Sequence, residues 1–335
     1  MLLLAVLGGC RSGSFLDVGA CGVAEAGGSG MTCSVPGWSD RDYDLWVPDG
    51  YQPGTPVPVV VVLHGDGGDK QSAERMTCDE GAAGDVACLH RTAQVHGYAA
   101  VFHDGTPERG LWHTERAWNA GGGKDGWRCS GGTACAEQVN DVQYVRDLLD
   151  DLERHIDVDP RRIYVTGMSN GGAMAQRLGC ELSDRVAAIA SVDGELQLAT
   201  SGTCAPPRPV PLLDVHSTTD PCWPYRGGPP ECPIRSGGGK LVSVARTLSV
   251  WSSIDGCDGG VDREEFPDTV HDGSITARIT YTNCAVPLEH LRIDGAGHTW
   301  PDGWQSVRIQ HIGTVSRDWG SEVLFEFFDR RELRE

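Results

Sequence analysis

Hydrophobic and polar positions alternate along the chain in two rhythms. Continuous β-branched or apolar runs bounded by turn residues read as buried strands: Tyr43 to Val47, Val57 to Leu63, Tyr98 to His103, Arg162 to Thr166, Val186 to Val192, Val210 to His216, Ile275 to Thr282 and Glu289 to Ile293. Between them, apolar residues three and four apart predict helices over Ala82 to Val95, Val139 to His155, Gly171 to Leu182, Leu241 to Ile254 and Ser321 to Arg331. Strands that alternate with helices call for an α/β fold, a mostly parallel central sheet with helices on both faces. No internal repeat and no second domain interrupts the pattern.

The first residues do not follow it. "MLLLAVLGGC" is an apolar stretch that ends in small residues before Cys10, and it resembles a bacterial lipoprotein signal whose cysteine is lipidated after cleavage. An ordinary secretion signal is the alternative, and either one implies export. Residues 11–37 are Gly/Ser/Ala-rich and aperiodic, which suits a tether. The expected organisation is a signal segment over 1–10, a tether over 11–37 and a single catalytic domain over 38–335. No later apolar run approaches the ~18 residues of a membrane span, so membrane contact is expected only through a lipid anchor.

Composition narrows the function. The 335 residues hold 28 Lys and Arg against 47 Asp and Glu, a net charge of −19, and no basic cluster offers a nucleic acid backbone its cations. Nucleic acid is therefore excluded as a partner. Thirteen cysteines occur without the C-x-x-C or Cys/His spacing of a zinc site, and no metal is expected. Setting Cys10 aside leaves an even number for disulfides in an exported protein. The simplest pairing joins Cys78 to Cys88, Cys129 to Cys135 and Cys222 to Cys232, with Cys180 to Cys204, Cys257 to Cys284 and Cys21 to Cys33 completing the set.

One turn carries the chemistry. Gly167-Met168-Ser169-Asn170-Gly171 has the form G-x-S-x-G, lying between the buried-strand pattern "RRIYVT" and the amphipathic "GAMAQRLGCEL". A serine on a sharp strand-to-helix turn needs glycine neighbours, whereas a serine that merely caps a helix does not. With 45 glycines in the chain the pattern alone is weak, and its setting makes Ser169 the candidate nucleophile. A serine nucleophile needs a base, and the base needs a carboxylate to fix its tautomer. Asp220, on the turn after the strand in "PVPLLDVHSTTDPCWPY", is the candidate acid, ahead of Asp214 within that strand and Asp193 at the end of the preceding one. His298, in the glycine-hinged loop of "LRIDGAGHTWPDG", is the candidate base, because His271, His290 and His311 lack that strand-end setting. The oxyanion donors are expected from the backbone N–H of Asn170 and from Asp66 in the glycine-rich turn of "VVLHGDGGD".

These segments, with "YDLWVPDGYQPGTPVPVVVVLHGDGG", "AWNAGGG", "NDVQYVRDLLDDL" and "IGTVSRDWGSEVLFEFF", resemble the secreted polyhydroxybutyrate depolymerase and feruloyl esterase type of α/β hydrolase, which includes acetylxylan esterases. The resemblance runs from about Tyr43 to Phe328. It implies an α/β-hydrolase sheet, a Ser169/Asp220/His298 triad, no cofactor, and hydrolysis of carboxylic esters through an acyl-enzyme. It also implies that Trp118 and Asn119 lie near the acyl site and Trp300 beside the histidine, as substrate-binding residues, with Trp118 equally readable as core. Two departures bear on substrate. The chain ends soon after its last helix, without the extra binding domain of enzymes that attack solid polyester, which favours dissolved esters, oligomers or ester side chains of polysaccharide. The insert "CWPYRGGPPECPIRSGGGK" is also unusual, and a Cys222–Cys232 bond would tie it into a rim over the site. The rival readings are a serine peptidase on the same fold and a non-catalytic surface lipoprotein that binds carbohydrate or a partner.

Overall fold

The computed structural model describes residues 21–23, 30–79, 88–109, 115–232, 238–305 and 309–333. Cys10 and the signal segment lie outside the described residues. In chain order the strands are β1 (Cys21–Val23), β2 (Met31–Ser34), β3 (Asp42–Trp46), β4 (Val57–Leu63), β5 (Ala99–His103), β6 (Thr106–Pro107), β7 (Arg116–Ala117), β8 (Val158–Met168), β9 (Ala188–Val192), β10 (Leu212–Ser217), β11 (Val261–Glu265), β12 (Ile275–Tyr281) and β13 (Leu288–Asp294). The helices are α1 (Lys70–Met76), α2 (Leu89–Val95), α3 (Gly132–Ala136), α4 (Asp141–Leu152), α5 (Asn170–Glu181), α6 (Val244–Ile254), α7 (Ile309–Ile312) and α8 (Glu322–Phe328).

Among the described residues eleven strands form one sheet, in the order β1-β2-β3-β5-β4-β8-β9-β10-β13-β12-β11. The middle run from β5 to β13 is parallel, and antiparallel strands extend it at both edges. β4 shows why a continuous apolar run belongs at the centre. Val57, Val59, Val61 and Leu63 face one core, and Val60 and Val62 face the other. Both faces are covered, so no position of the run can be polar. Pro58 is tolerated because the β4–β8 register shifts between Val57 and Val59.

Differences from the sequence pattern have local causes. Met31–Ser34 lies within the stretch read as tether, yet it pairs with β3 and buries Cys33. Four residues of mixed polarity carry no readable period, and the pairing partner supplies the order. β11, "VDREE", is exposed at every residue and is held by its pairing with β12. α1 is a seven-residue helix whose N-cap Asp69 accepts from Ser72 N while the Ser72 hydroxyl accepts from Asp69 N, a capping box with serine in place of the usual Glu or Gln.

Disulfides join Cys21 to Cys33, Cys78 to Cys88, Cys129 to Cys135, Cys180 to Cys204, Cys222 to Cys232 and Cys257 to Cys284. No helix among the described residues is long and apolar enough to cross a membrane.

The order of strands reverses between β4 and β8. β4 is followed in sequence by β5 on one side, and the chain then returns to place β8 on the other. The carboxyl ends of strands at such a reversal border a crevice, where open α/β sheets hold their ligands.

Candidate active site

At the end of β8 the backbone turns sharply at Ser169, with φ 59° and ψ −121°. A non-glycine residue in that region is strained and needs its surroundings to hold it. Ser169 N donates to Val192 O at 2.8 Å, and its carbonyl accepts from Ala173 N at 2.9 Å, opening α5. The flanking glycines are forced by close approach: a Cβ on Gly167 would lie 2.7 Å from the Gly171 backbone, and one on Gly171 would lie 2.4 Å from Leu63 O. The turn is thereby pressed against the end of β4.

His298 follows β13, and its Nδ1 lies 2.7 Å from Asp220 Oδ2. Asp220 follows β10; its other oxygen accepts from Cys222 N at 2.7 Å and Trp223 N at 2.9 Å. Ser169, Asn170, His298 and Asp66 all line one cavity of about 130 Å³, whose outer wall includes Trp223 and Pro230. The segment that carries Pro230 is closed at its ends by reciprocal backbone hydrogen bonds between Gly228 and Leu241, at 2.9 and 2.8 Å.

The loop after β4 is fixed from behind. His64 Nε2 accepts from Gly105 N, and burial pushes its pKa down to about 4, so the imidazole is neutral near pH 7. Gly67 N and Gly68 N donate to Arg116 O and Gly65 O, which commits those two amides away from an oxyanion.

Trp118 and Asn119 are not walls of the cavity; both are buried behind it. Trp118 Nε1 donates to His64 O at 2.9 Å, while its backbone N donates to Asn170 Oδ1 at 2.7 Å and its carbonyl accepts from Asn170 Nδ2 at 3.0 Å. That clamp locks the start of α5 to the loop after β4. Asn119 is tied to Asp141 and Val139. Trp300 is buried as well, with Nε1 donating to Ser321 Oγ, and it borders a separate cleft on the His298 side. Arg128, Ser130, Trp223, Pro230 and Leu241 line the cavity without being singled out beforehand as contacts. The cysteine pair at 222 and 232 pointed toward Trp223 and Pro230, and no sequence signal marked the other three.

No family model matches the chain. Feruloyl esterase B of Piromyces equi is 30% identical over 200 residues, which cover 58% of this chain and 33% of that protein. NocK of Nocardia uniformis subsp. tsuyamanensis, which carries an esterase name, is 30% identical over 280 residues, covering 79% of this chain and 73% of NocK. The chain belongs to this family of α/β-hydrolase esterases. A solved structure, the acetyl xylan esterase from Aspergillus awamori, aligns with the esterase at a TM-score of 0.48 and 12% identity, over 78% of this chain and 89% of that one.

Beneath the site the esterase buries five titratable groups together. Burial alone would raise the Asp220 pKa, but His298 and His216 beside it bring it down to about 2. Asp193, the alternative acid, is pushed up to about 7 by burial and by the charge of Asp220. It stands 4.0 Å from His298 Nδ1 and accepts instead from Ser217 N and Thr299 N. Neighbouring carboxylates whose pKa values are driven apart take separate roles, and Asp220 is the ionised one. Asp214, the other alternative, is paired with His290 within the sheet.

His216 joins the cluster from below. Its Nδ1 lies 2.6 Å from Glu195 Oε1 and its Nε2 2.8 Å from Trp223 O. Burial opposes its charge, yet Asp220 and Glu195 hold its pKa well above the ordinary value. Both nitrogens then donate, and the imidazolium braces the loop that carries Asp220.

The His298 pKa is raised: burial works against the charged form, and the adjacent Asp220 carboxylate outweighs it. A protonated imidazole cannot act as a base. The kcat/KM of ester hydrolysis is therefore expected to rise with pH through a midpoint above the ordinary histidine value of 6.5. Asp220→Asn should move that midpoint down, and a pH–rate profile of both proteins checks the sign.

Proposed function

We propose that the esterase works through an acyl-enzyme on Ser169, with His298 as base and then acid and Asp220 as its orienting carboxylate. The observation that carries this reading is the strained Ser169 on the wall it shares with His298, whose far nitrogen is hydrogen-bonded to an ionised, buried Asp220. Ser169 Oγ would attack the ester carbonyl while His298 takes its proton. The negative oxygen would be met by the backbone N–H groups of Asn170 and Asp66. On collapse the C–O bond to the alcohol breaks, and the His298 proton passes to the leaving oxygen. Water then repeats the sequence, releasing the acid and restoring Ser169.

The substrate class we assign is feruloyl, acetyl or short hydroxyalkanoate esters, met as small esters, oligomers or polysaccharide side chains. The names of the related feruloyl esterases and the small size of the cavity support it. Six disulfides fit an oxidising compartment outside the cytoplasm. Release or lipid anchoring through Cys10 completes the proposal.

Rapid mixing with p-nitrophenyl acetate is expected to release a burst of about one equivalent of p-nitrophenolate, a signature of acyl-enzyme accumulation. Acid quenching and peptide mass analysis should place the acetyl group on Ser169. Acetylation confined to another residue would refute the assignment.

A further inference from the structure

A second cleft, of about 280 Å³, opens beside the first cavity and shares Asp66, His298 and Ile312 with it. Ser169 and Asn170 line the first cavity and not the second. In acyl transfer the imidazolium hands its proton to the leaving oxygen, so the alcohol must lie on the histidine's side while the carbonyl oxygen faces the oxyanion amides. With His298 among its walls and Ser169 absent from them, the second cleft is assigned to the leaving-group side, a placement that rests on the acyl-enzyme reading above; Gly65, Asp66, Gly67 and Gly68 line it as well.

Two side chains of this cleft bear on what it could hold. Trp304 is 39% exposed and is the one aromatic among the exposed large hydrophobic residues described. Its backbone is pinned, with Trp304 N donating to Met76 O at 3.2 Å. At the preceding Gly303 a Cβ would come within 2.2 Å of the same carbonyl, so the indole stands on a fixed support. The other is Arg75, in the last turn of α1. It is exposed, lines the cleft, and makes no side-chain hydrogen bond or ion pair among the described residues. Arg91, Arg226 and Arg330 are likewise exposed without a side-chain partner among the described residues, but of these four guanidinium groups Arg75 is the one that lines this cleft.

An indole plane offers a flat apolar platform. A guanidinium offers a fork of donors matched to a carboxylate. We propose that this cleft is a leaving-group subsite for a sugar alcohol bearing a carboxylate, a uronosyl unit, with its ring against Trp304 and its carboxylate on Arg75. The ester cleaved would then join a short acyl group to a hydroxyl of an acidic saccharide.

The test compares kcat/KM for acetyl esters of methyl glucuronide, methyl glucoside and methanol in the wild type, Arg75→Gln and Trp304→Ala. The wild type should prefer the glucuronide ester over the glucoside ester. Arg75→Gln should reduce that preference about tenfold, mainly through KM, as expected for loss of a charge-assisted pair. Trp304→Ala should lower both sugar esters about fivefold relative to methyl acetate. Calorimetric titration of methyl glucuronide into Ser169→Ala, with and without Arg75→Gln, reads the subsite without turnover and should show about fivefold weaker binding when the guanidinium is gone. Equal preference ratios and equal affinities in the two backgrounds would overturn the proposal. Absence of ester turnover with glucuronide binding intact would count against the acyl-enzyme reading instead.

Discussion

Ser169→Ala is expected to fold as the wild type does and to lose at least ~10³-fold in kcat on p-nitrophenyl esters. The hydroxyl is the only atom removed. The hydrogen bonds that hold the turn are backbone ones, from Ser169 N to Val192 O and from Ala173 N to Ser169 O, and alanine keeps both. The cost of the unusual φ of 59° falls on any residue with a Cβ, so it does not change greatly. Without Oγ, His298 has no hydroxyl to deprotonate, and the residual rate comes from binding and the oxyanion amides alone. Steady-state kinetics together with a thermal melt checks both halves. Turnover within tenfold of wild type, with the melt unchanged, would place the nucleophile elsewhere.

Gly171→Ala is expected to damage the fold and the reaction together. The added Cβ would stand 2.4 Å from Leu63 O and 2.5 Å from His64 O, and both are backbone atoms. Leu63 is fixed on two sides, opposite His103 of β5 and Gly167 of β8, so no side chain can swing aside to relieve the clash. The start of α5 must instead lift away from β4, carrying Ser169 and the Asn170 amide with it. Overpacking of this kind costs about 1–3 kcal/mol or more, and a displacement of ~1 Å at reacting groups costs about 10²-fold in rate. A fall of several degrees in Tm with a loss of about 10²-fold in kcat/KM is the expected result. Gly238→Ala is the control, because nothing lies within 4 Å of a Cβ there and its φ is unstrained. A Gly171→Ala protein with wild-type Tm and rate would mean that the turn is not packed as described.

The contrast between those two glycines also marks what a sequence can and cannot disclose. β4, β8 and β9 were legible because strands buried on both faces are mostly apolar, so "VPVVVVL", "IYVTGM" and "AIASV" announce themselves. Ser169, Asp220 and His298 could be singled out because each follows a strand at a glycine or proline turn, a local signal. β11 gave none, since its order comes from a neighbour more than ten residues away. The place of Trp118 was open between the binding face and the core for a similar reason. A large aromatic is equally apt for a binding face or a buried brace, and only the clamp on Asn170 tells the two apart. Charge in the buried cluster was hidden as well, because Glu195 and His216 meet across 21 positions of chain without any shared pattern.

Two ties hold the segment beyond the Gly228–Leu241 neck to the turn that carries Asp220, the Cys222–Cys232 disulfide and a hydrogen bond from Glu231 N to Pro221 O. Pro230 and Cys232 on the cavity wall are thereby coupled to the carboxylate hydrogen-bonded to His298, so a lineage that reshaped this rim would have to keep both ties or move Asp220 with it.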